Sequence, residues 1–470
     1  MVILLQSAPL LLLLALLLSG RATPPVACLV ALAAAVPAVA VSLPGGVAVP
    51  EFLATEALRA LFLAVQPIGV VTGGLLFHAA AGAAPSAAST VPDARRVFVA
   101  CFLAGVFVET VTGFAVGAVF ALASLRGMGL RGPQAGALAL LALCLVPWGG
   151  LGPGTALGAA LAGQPAQEFA AMTAWFQVPW LLCLVPLFWT LSRRAGIPVP
   201  GRERLAQLGI TVVVCLLLLA ANRFGPFEAA GIVASGLPLL WALWRLAPPR
   251  DAEAWARAAR LLGPWAGLVA ALLLARSWHG APAWQPYAGL PALPVTHVAV
   301  VLWLAAAVLL APLPDGLLRA RDALARARRP ATAMLLYVLL AGWLARSGAA
   351  QGLALALADT LGSAAGYALP PLGVLAGVVT GSNVGSNSAL LPVQMGLAHA
   401  VGLPALPAAA LHNFMGSASA GMGFTVTALI CGLLADGTRP VQLWRLLWPS
   451  FAAMLVVGWA GVAIMGAGFG

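Results

Sequence analysis

The sequence contains no lysine. Its 24 cationic side chains are all arginine, set against 13 acidic ones, and only 8% of the 470 residues are charged. A soluble domain carries roughly 25%, so a chain this poor in charge cannot clothe itself in a solvated surface. The net charge of +11 therefore does not mark a nucleic-acid binder, because the arginines fall in short loops between apolar runs, as expected of loops on the inner face of a membrane. Cysteine is also scarce. The six residues Cys28, Cys101, Cys144, Cys183, Cys215 and Cys431 stand singly in apolar sequence without a CxxC pair, which leaves them as small buried residues facing helices or lipid. Strand-like alternation of apolar and polar residues is absent as well, which excludes a transmembrane barrel.

What remains is 62% hydrophobic, with a mean hydropathy of +1.01. Several apolar runs exceed the roughly 18 residues that mark a membrane-spanning helix. The expected fold class is an all-α polytopic membrane protein of about 12 spans plus two re-entrant or broken-helix hairpins in inverted repeats. Apolar segments fall near 3–20, 26–43, 54–80, 97–125, 133–160, 171–191, 205–221, 226–245, 261–277, 295–313, 331–346, 371–400, 405–435 and 443–468. The whole chain reads as one transmembrane domain, with core units at 97–160 and 371–435 and amphipathic cytoplasmic loops at 246–260 and 314–330. The leucine-rich N-terminus lacks a basic leader and runs on into more apolar sequence, so it reads as a first span and not as a cleaved signal.

The arginines set the orientation. One cluster holds Arg193, Arg194, Arg202 and Arg204, a second Arg245, Arg250, Arg257 and Arg260, and a third Arg319, Arg321, Arg326, Arg328 and Arg329. Two spans separate each cluster from the next, so all three fit the cytoplasmic side. Arg95 and Arg96 belong there too, and so do Arg126 and Arg131, yet only 97–125 lies between the two pairs. That stretch is too short for two crossings at about 20 residues each. A hairpin that dips in and returns, with its turn near 108–117, satisfies both ends. Irregular backbone at that depth is tolerated only inside protein or along a wet cavity.

A second stretch resembles this one. "LAGVFVETVTGFAVG" begins at Leu103 and "LAGVVTGSNVGSN" at Leu375. Pairing Leu-Ala-Gly-Val with itself places Gly113 on Gly385. The arginines around the following spans give the two units opposite orientations. Inverted repeats with broken helices at matched positions are the mark of a secondary transporter and of its binding site.

Polar residues concentrate at these breaks. Glu109 is the only acid at the centre of an apolar span, so it is paired, wet or protonated. Burial favours the neutral form of a carboxyl, which suits a proton carrier, although capping of the hairpin backbone would also account for the residue. Ser382, Asn383, Ser386 and Asn387 offer hydroxyls and amides beside Gly381 and Gly385, which let the helix open. Freed N–H groups at a half-helix N-terminus can face a carboxylate, and oxygens there can equally hold Na⁺. "HNFMGSASAGM" supplies His412, a candidate proton relay, together with Asn413 and Gly416. "VPWGGLGPGT" supplies Gly149, Gly150 and Gly152 in the first unit; no strand precedes it and no lysine follows, so it is not a phosphate loop. Gln66 is a lesser candidate. A hydrolase built on Ser386 or Ser417 with His399 or His412 finds no GxSxG or HExxH motif to support it.

At these motifs the chain resembles the L-lactate permease family. "FVETVTGF" matches an F-x-E-x-x-x-G-F setting through Phe107, Glu109, Gly113 and Phe114. Gly149, Gly150, Leu151 and Gly152 match a G-x-L-G turn. Thr380-Gly381-Ser382-Asn383 with Ser386-Asn387 matches T-G-S-(D/N)-x-x-S-N, and Gln394 follows. The resemblance covers roughly 60–160 and 370–435. Further on Asn413, Gly416 and Met422 remain, but Gly421 stands where the family has lysine, and Phe424-Thr425-Val426 replaces S-P-Q. The resemblance implies a proton-coupled monocarboxylate permease of a bacterial plasma (inner) membrane, multi-pass, and no enzyme. Its anion site would hold Thr380, Ser382, Asn383, Ser386, Asn387, Gln394 and Asn413, with Glu109 and His412 on the proton route. It calls for no cofactor and no metal site; the coupling ion is H⁺, with Na⁺ as the alternative. The expected partners are a small organic anion and the lipid bilayer, without nucleic acid, and a homo-oligomer is compatible with this reading.

Overall fold

In hydrocarbon every backbone N–H and C=O must find its partner within the segment, so the Leu/Ala runs of this chain form helices. The computed structural model describes residues 1–81, 92–246 and 248–468; position 247, inside the expected loop 246–260, lies outside the described residues. Among the described residues, eight helices are long and apolar enough to cross a membrane, among them Val49–Ala81, Ala166–Arg194 and Pro440–Gly466. The shorter helices Val2–Leu18 and Val298–Leu310 pack in with them. Counting these, leaving out Ala349–Thr380, whose second half is a hairpin limb, and adding Ala252–Ser277, Gly316–Arg346 and each broken helix once, the described residues make about 12 crossings. It is an all-α polytopic membrane protein. Among the described residues the strands are two dipeptides, Ala283–Trp284 and Leu293–Pro294, paired antiparallel in one loop.

Two expectations change in detail. The segment 314–330 is not a separate loop: it continues through Pro330 into the following span as the single helix Gly316–Arg346. Helix Ala349–Leu361 was not expected as an element, because its 13 residues are too few for a crossing. It lies against Asn383–Ala400, where a Cβ on Gly396 would come within 2.7 Å of Ala354.

The stretch 94–127 does dip in and return. Helices Ala166–Arg194 and Pro440–Gly466 run antiparallel, since the Trp180 indole N–H donates to the Ser450 carbonyl while Phe176 packs on Gly461. The start of the second therefore lies with the end of the first. On that same side Arg95 pairs with Glu203 at 3.0 Å, Arg126 donates to the Leu433 carbonyl, and the Gly132 N–H donates to Asp436. Both ends of 94–127 thus share one arginine-rich face. Its inward limb is Ala94–Phe98, a π-helical stretch Val99–Ala104 and Gly105–Thr112; its outward limb is Val116–Gly127.

A broken helix follows, Gly132–Leu140 and, after irregular backbone, Pro153–Leu161. The second unit repeats this order from the opposite face. Leu369–Thr380 and Asn383–Ala400 form the second hairpin; Ala405–Ala420 and Phe424–Leu434 form the second broken helix. The two helix breaks correct the register of the repeat. The shared sequence is Val-Thr-Gly-x-x-Val-Gly, at 111–117 and 379–385. Gly113 therefore pairs with Gly381, and Gly385 pairs with Gly117. The earlier identity at Leu-Ala-Gly-Val is a coincidence of common apolar residues.

Candidate functional site between the hairpin tips

At the first tip three consecutive residues are left-handed: Gly113, Phe114 and Ala115, with φ of 69°, 57° and 62°. For the latter two this costs roughly 1–2 kcal/mol each. The Glu109 carboxylate offsets it. Glu109 is buried, and its two oxygens accept the N–H groups of Ala115 at 3.2 Å and Gly117 at 3.0 Å. Gly117 permits that approach, since a Cβ there would collide with the Gly105 carbonyl and come within 2.6 Å of the Glu109 Cβ. Gly113 in turn rests on Gly150 of the broken helix, its own Cβ position 3.2 Å from the Gly150 Cα.

The second tip is closed without an acid. Gly381 is left-handed, Ser382 is extended, and the Ser382 hydroxyl accepts the Gly385 N–H at 3.4 Å. Gly377 stands where the first unit has Glu109. A side chain there would run into the Gly416 carbonyl and the Ser419 hydroxyl, so the tight packing of the second hairpin on its broken helix leaves no room for one.

Four half-helices therefore begin at one level: Val116–Gly127, Pro153–Leu161, Asn383–Ala400 and Phe424–Leu434. Their first turns face a cavity of about 260 Å³, lined at those ends by Ala115, Pro153, Ser382, Asn383 and Thr425. Each helix N-terminus carries a partial positive charge near +0.5 and unmet N–H donors. One terminus is already occupied by the Glu109 carboxyl, which accepts two of its N–H groups. Glu109 also lines the cavity, and among the described residues no arginine or histidine does. The lining extends to Pro330, next to Arg328 and Arg329, so the cavity reaches toward the arginine-rich face.

The structure divides the sequence candidates into two groups. Glu109, Thr380, Ser382, Asn383, Gly113, Gly149, Gly150 and Gly381 line the cavity. Ser386, Asn387, Gln394, His412, Asn413, Gly152, Gly385 and Gly416 lie behind it. Asn387 donates to the Gly154 carbonyl and to Asn413 Oδ1, both at 2.9 Å. Asn413 donates to the Thr155 and Thr173 hydroxyls, both at 3.1 Å. These groups join four helices through a buried polar network. Gln394 holds the Leu369 carbonyl and so ties the two limbs of the second hairpin together. His412 Nε2 lies 3.4 Å from the Ser386 hydroxyl and 3.2 Å from its carbonyl. Both residues are fully buried, and Gly416 packs directly on Ser386, so this pair has no room for a substrate. Gln66 reaches the Pro291 carbonyl and fixes the outer loop on its helix.

Sequence reading missed Tyr337, Thr425, Thr155 and Thr173. Tyr337 and Thr425 line the cavity, while the other two belong to the network. Tyr337 carried a signal, being one of three tyrosines and lying inside an apolar span. Thr155 closes the glycine string that was singled out.

No protein-family model matches the chain, and no curated protein matches it. Among solved structures it is similar to the crystal structure of the Alcanivorax borkumensis YdaH transporter, described as having an unusual topology. Identity is 20% over 89% of this chain and 87% of that one, with a TM-score of 0.46.

Proposed function

We propose that this protein is a secondary transporter for a small organic anion, a monocarboxylate such as L-lactate or glycolate, carried together with a proton. The observation that supports this most directly is the convergence of four half-helix N-termini, drawn from two inverted units, on one cavity at the hairpin tips. Such termini favour an anion without needing a fixed cation, which accommodates the glycine at 421 where the resembling family has lysine. Inverted units meeting at broken helices are the architecture of alternating access. Glu109 supports coupling to a proton, because among the described residues it is the only acid in the cavity lining and it holds the tip of one hairpin. As a carboxylate it accepts two N–H bonds; once protonated it turns one oxygen into a donor and gives up one of them. Proton uptake would therefore loosen the first tip. The positive-inside rule puts the arginine-rich face in the cytoplasm, so the cavity described here faces inward.

The test is uptake of L-lactate and glycolate by the protein in proteoliposomes, driven in turn by a pH gradient and by a Na⁺ gradient. Accumulation that follows the pH gradient supports the proposal. Accumulation that ignores pH and follows Na⁺ replaces the coupling ion, and the hydroxyls of Thr380, Ser382 and Thr425 would then be its ligands. Absence of uptake for both anions overturns the substrate assignment.

A further inference from the structure

A second cavity, of about 340 Å³, lies at the opposite face and is lined by Leu161, Gln351, Met395 and His399 among others. It adjoins Ala345, at the end of Gly316–Arg346 farthest from Arg319 to Arg329. Two half-helices connect the cavities. Pro153–Leu161 and Asn383–Ala400 both begin at the first cavity and both reach the second. They run parallel in matched register: Gly154 meets Asn383 and Gly158 meets Asn387, with each glycine's Cβ position 2.7 Å from the amide nitrogen opposite. Both pairs are spaced i, i+4, so they form one stripe along the seam. From Gly154 to Leu161 the helix rises about 10 Å at 1.5 Å per residue, a thin wall beside a hydrocarbon core of about 30 Å.

The chemistry of that wall is unusual for a permanent seal. Leucines or alanines would close it more cheaply. Here it is closed by amides, and Asn387 Oδ1 is fully buried without a hydrogen-bond partner among the described residues. An orphaned polar atom of this kind destabilises the closed arrangement. Beyond it sit the buried Leu157 and Leu391. A left-handed glycine stands just before each helix of the pair, Gly152 as the cap of the first and Gly381 two residues before the second, which gives it a swivel point.

We propose that the second cavity is a binding vestibule for the same small anion on the outer face, and that the glycine–asparagine seam is the gate between it and the first. The proposal rests on the transporter reading. In the vestibule the Gln351 amide, in the first turn of Ala349–Leu361, and the His399 ring provide N–H donors. When the seam parts, the amides of Asn383 and Asn387 are bared along the route, which explains why asparagine occupies positions where an apolar residue would seal better.

The experiment uses the full chain with its six cysteines replaced, reconstituted in liposomes. Leu391→Cys is compared with Leu184→Cys, equally buried but distant from the seam. If the seam opens, a water-soluble thiol reagent modifies Leu391→Cys at least tenfold faster than Leu184→Cys without any substrate; equal rates overturn the gate. The paired substitution Gly158→Cys with Asn387→Cys should cross-link on oxidation and stop L-lactate uptake, with recovery on reduction. Uptake that continues in the cross-linked protein also overturns it. His399→Ala and Gln351→Ala should raise the half-saturating L-lactate concentration for uptake from the outer face several-fold at unchanged maximal rate; no change overturns the vestibule. If the unsubstituted protein carries neither L-lactate nor glycolate, the labelling comparison still reads the gate, so failure of the substrate assignment and failure of the gate remain distinct.

Discussion

The two hairpins share Val-Thr-Gly-x-x-Val-Gly and break at the same glycine, yet they close their tips by different chemistry. The first uses a carboxylate from its own inward limb, Glu109, which binds two N–H groups across the break. The second uses the hydroxyl of Ser382, the residue next to the break, and has glycine where the acid would be. One tip is therefore sensitive to protonation and the other is not. In the proton-coupled transport proposed above, proton uptake would therefore act on the first tip and leave the second unchanged.

Removing the acid should have the largest effect. Glu109→Gln keeps one acceptor for the tip but cannot take up a proton. Proton-driven accumulation in proteoliposomes should fall at least tenfold, while exchange of labelled for unlabelled anion is partly retained. Accumulation at the unsubstituted level would reduce Glu109 to a backbone cap. Next in size is the paired glycine. Gly117→Ala forces a methyl into the Gly105 carbonyl and should cost about 1–3 kcal/mol by overpacking, read as a lower thermal midpoint. Gly385→Ala meets the Thr380 Cβ at 2.8 Å, a shallower overlap than the collision at Gly117, and should cost less. Equal losses would mean that the tips are packed alike. Ser382→Ala removes a long cap and should cost about 0.5–1 kcal/mol, at the lower end for a lost N-cap, without altering the response to a pH gradient.

The smallest effect concerns Asp436, which joins the units by accepting the Gly132 N–H. The Thr438 hydroxyl, with help from backbone N–H groups, holds its carboxyl below the ordinary aspartate range. A depressed carboxyl stabilises the fold at pH above its unfolded value of about 3.9, and this is lost as pH falls through the lower folded value. The unsubstituted protein and Asp436→Asn should therefore differ slightly in thermal midpoint above pH 4 and converge below it.

The fold was largely legible. Hydropathy gave the helices, and the arginine count gave the first hairpin, because four cations and one short span admit no other topology. The roles of the polar residues were less legible. Ser382 and Asn383 line the cavity, but Asn387 and Asn413, with side chains of similar chemistry, face a neighbouring helix. What separates Asn383 from Asn387 is one helical turn of depth, and nothing in the local sequence records which turn meets the cavity. Ser386 and His412, which in sequence resemble a reactive pair, are packed solid by Gly416. The register of the repeat was misread for a related reason: four apolar identities outweighed a glycine whose backbone conformation was not yet known.

By itself the sequence determined the solvent in which this protein lives, its all-α class and the places where its core helices break, since cost in hydrocarbon depends on composition and on where glycine interrupts a run. Only the tertiary structure decided which breaks face one another. The four N-termini come from segments as far apart in sequence as Val116 and Phe424, and the potential between them is a sum over dipoles that packing alone aligns. The same packing assigned Glu109 to a tip and Asn387 to a seam, because a polar group in a membrane takes its role from the partner within three ångströms.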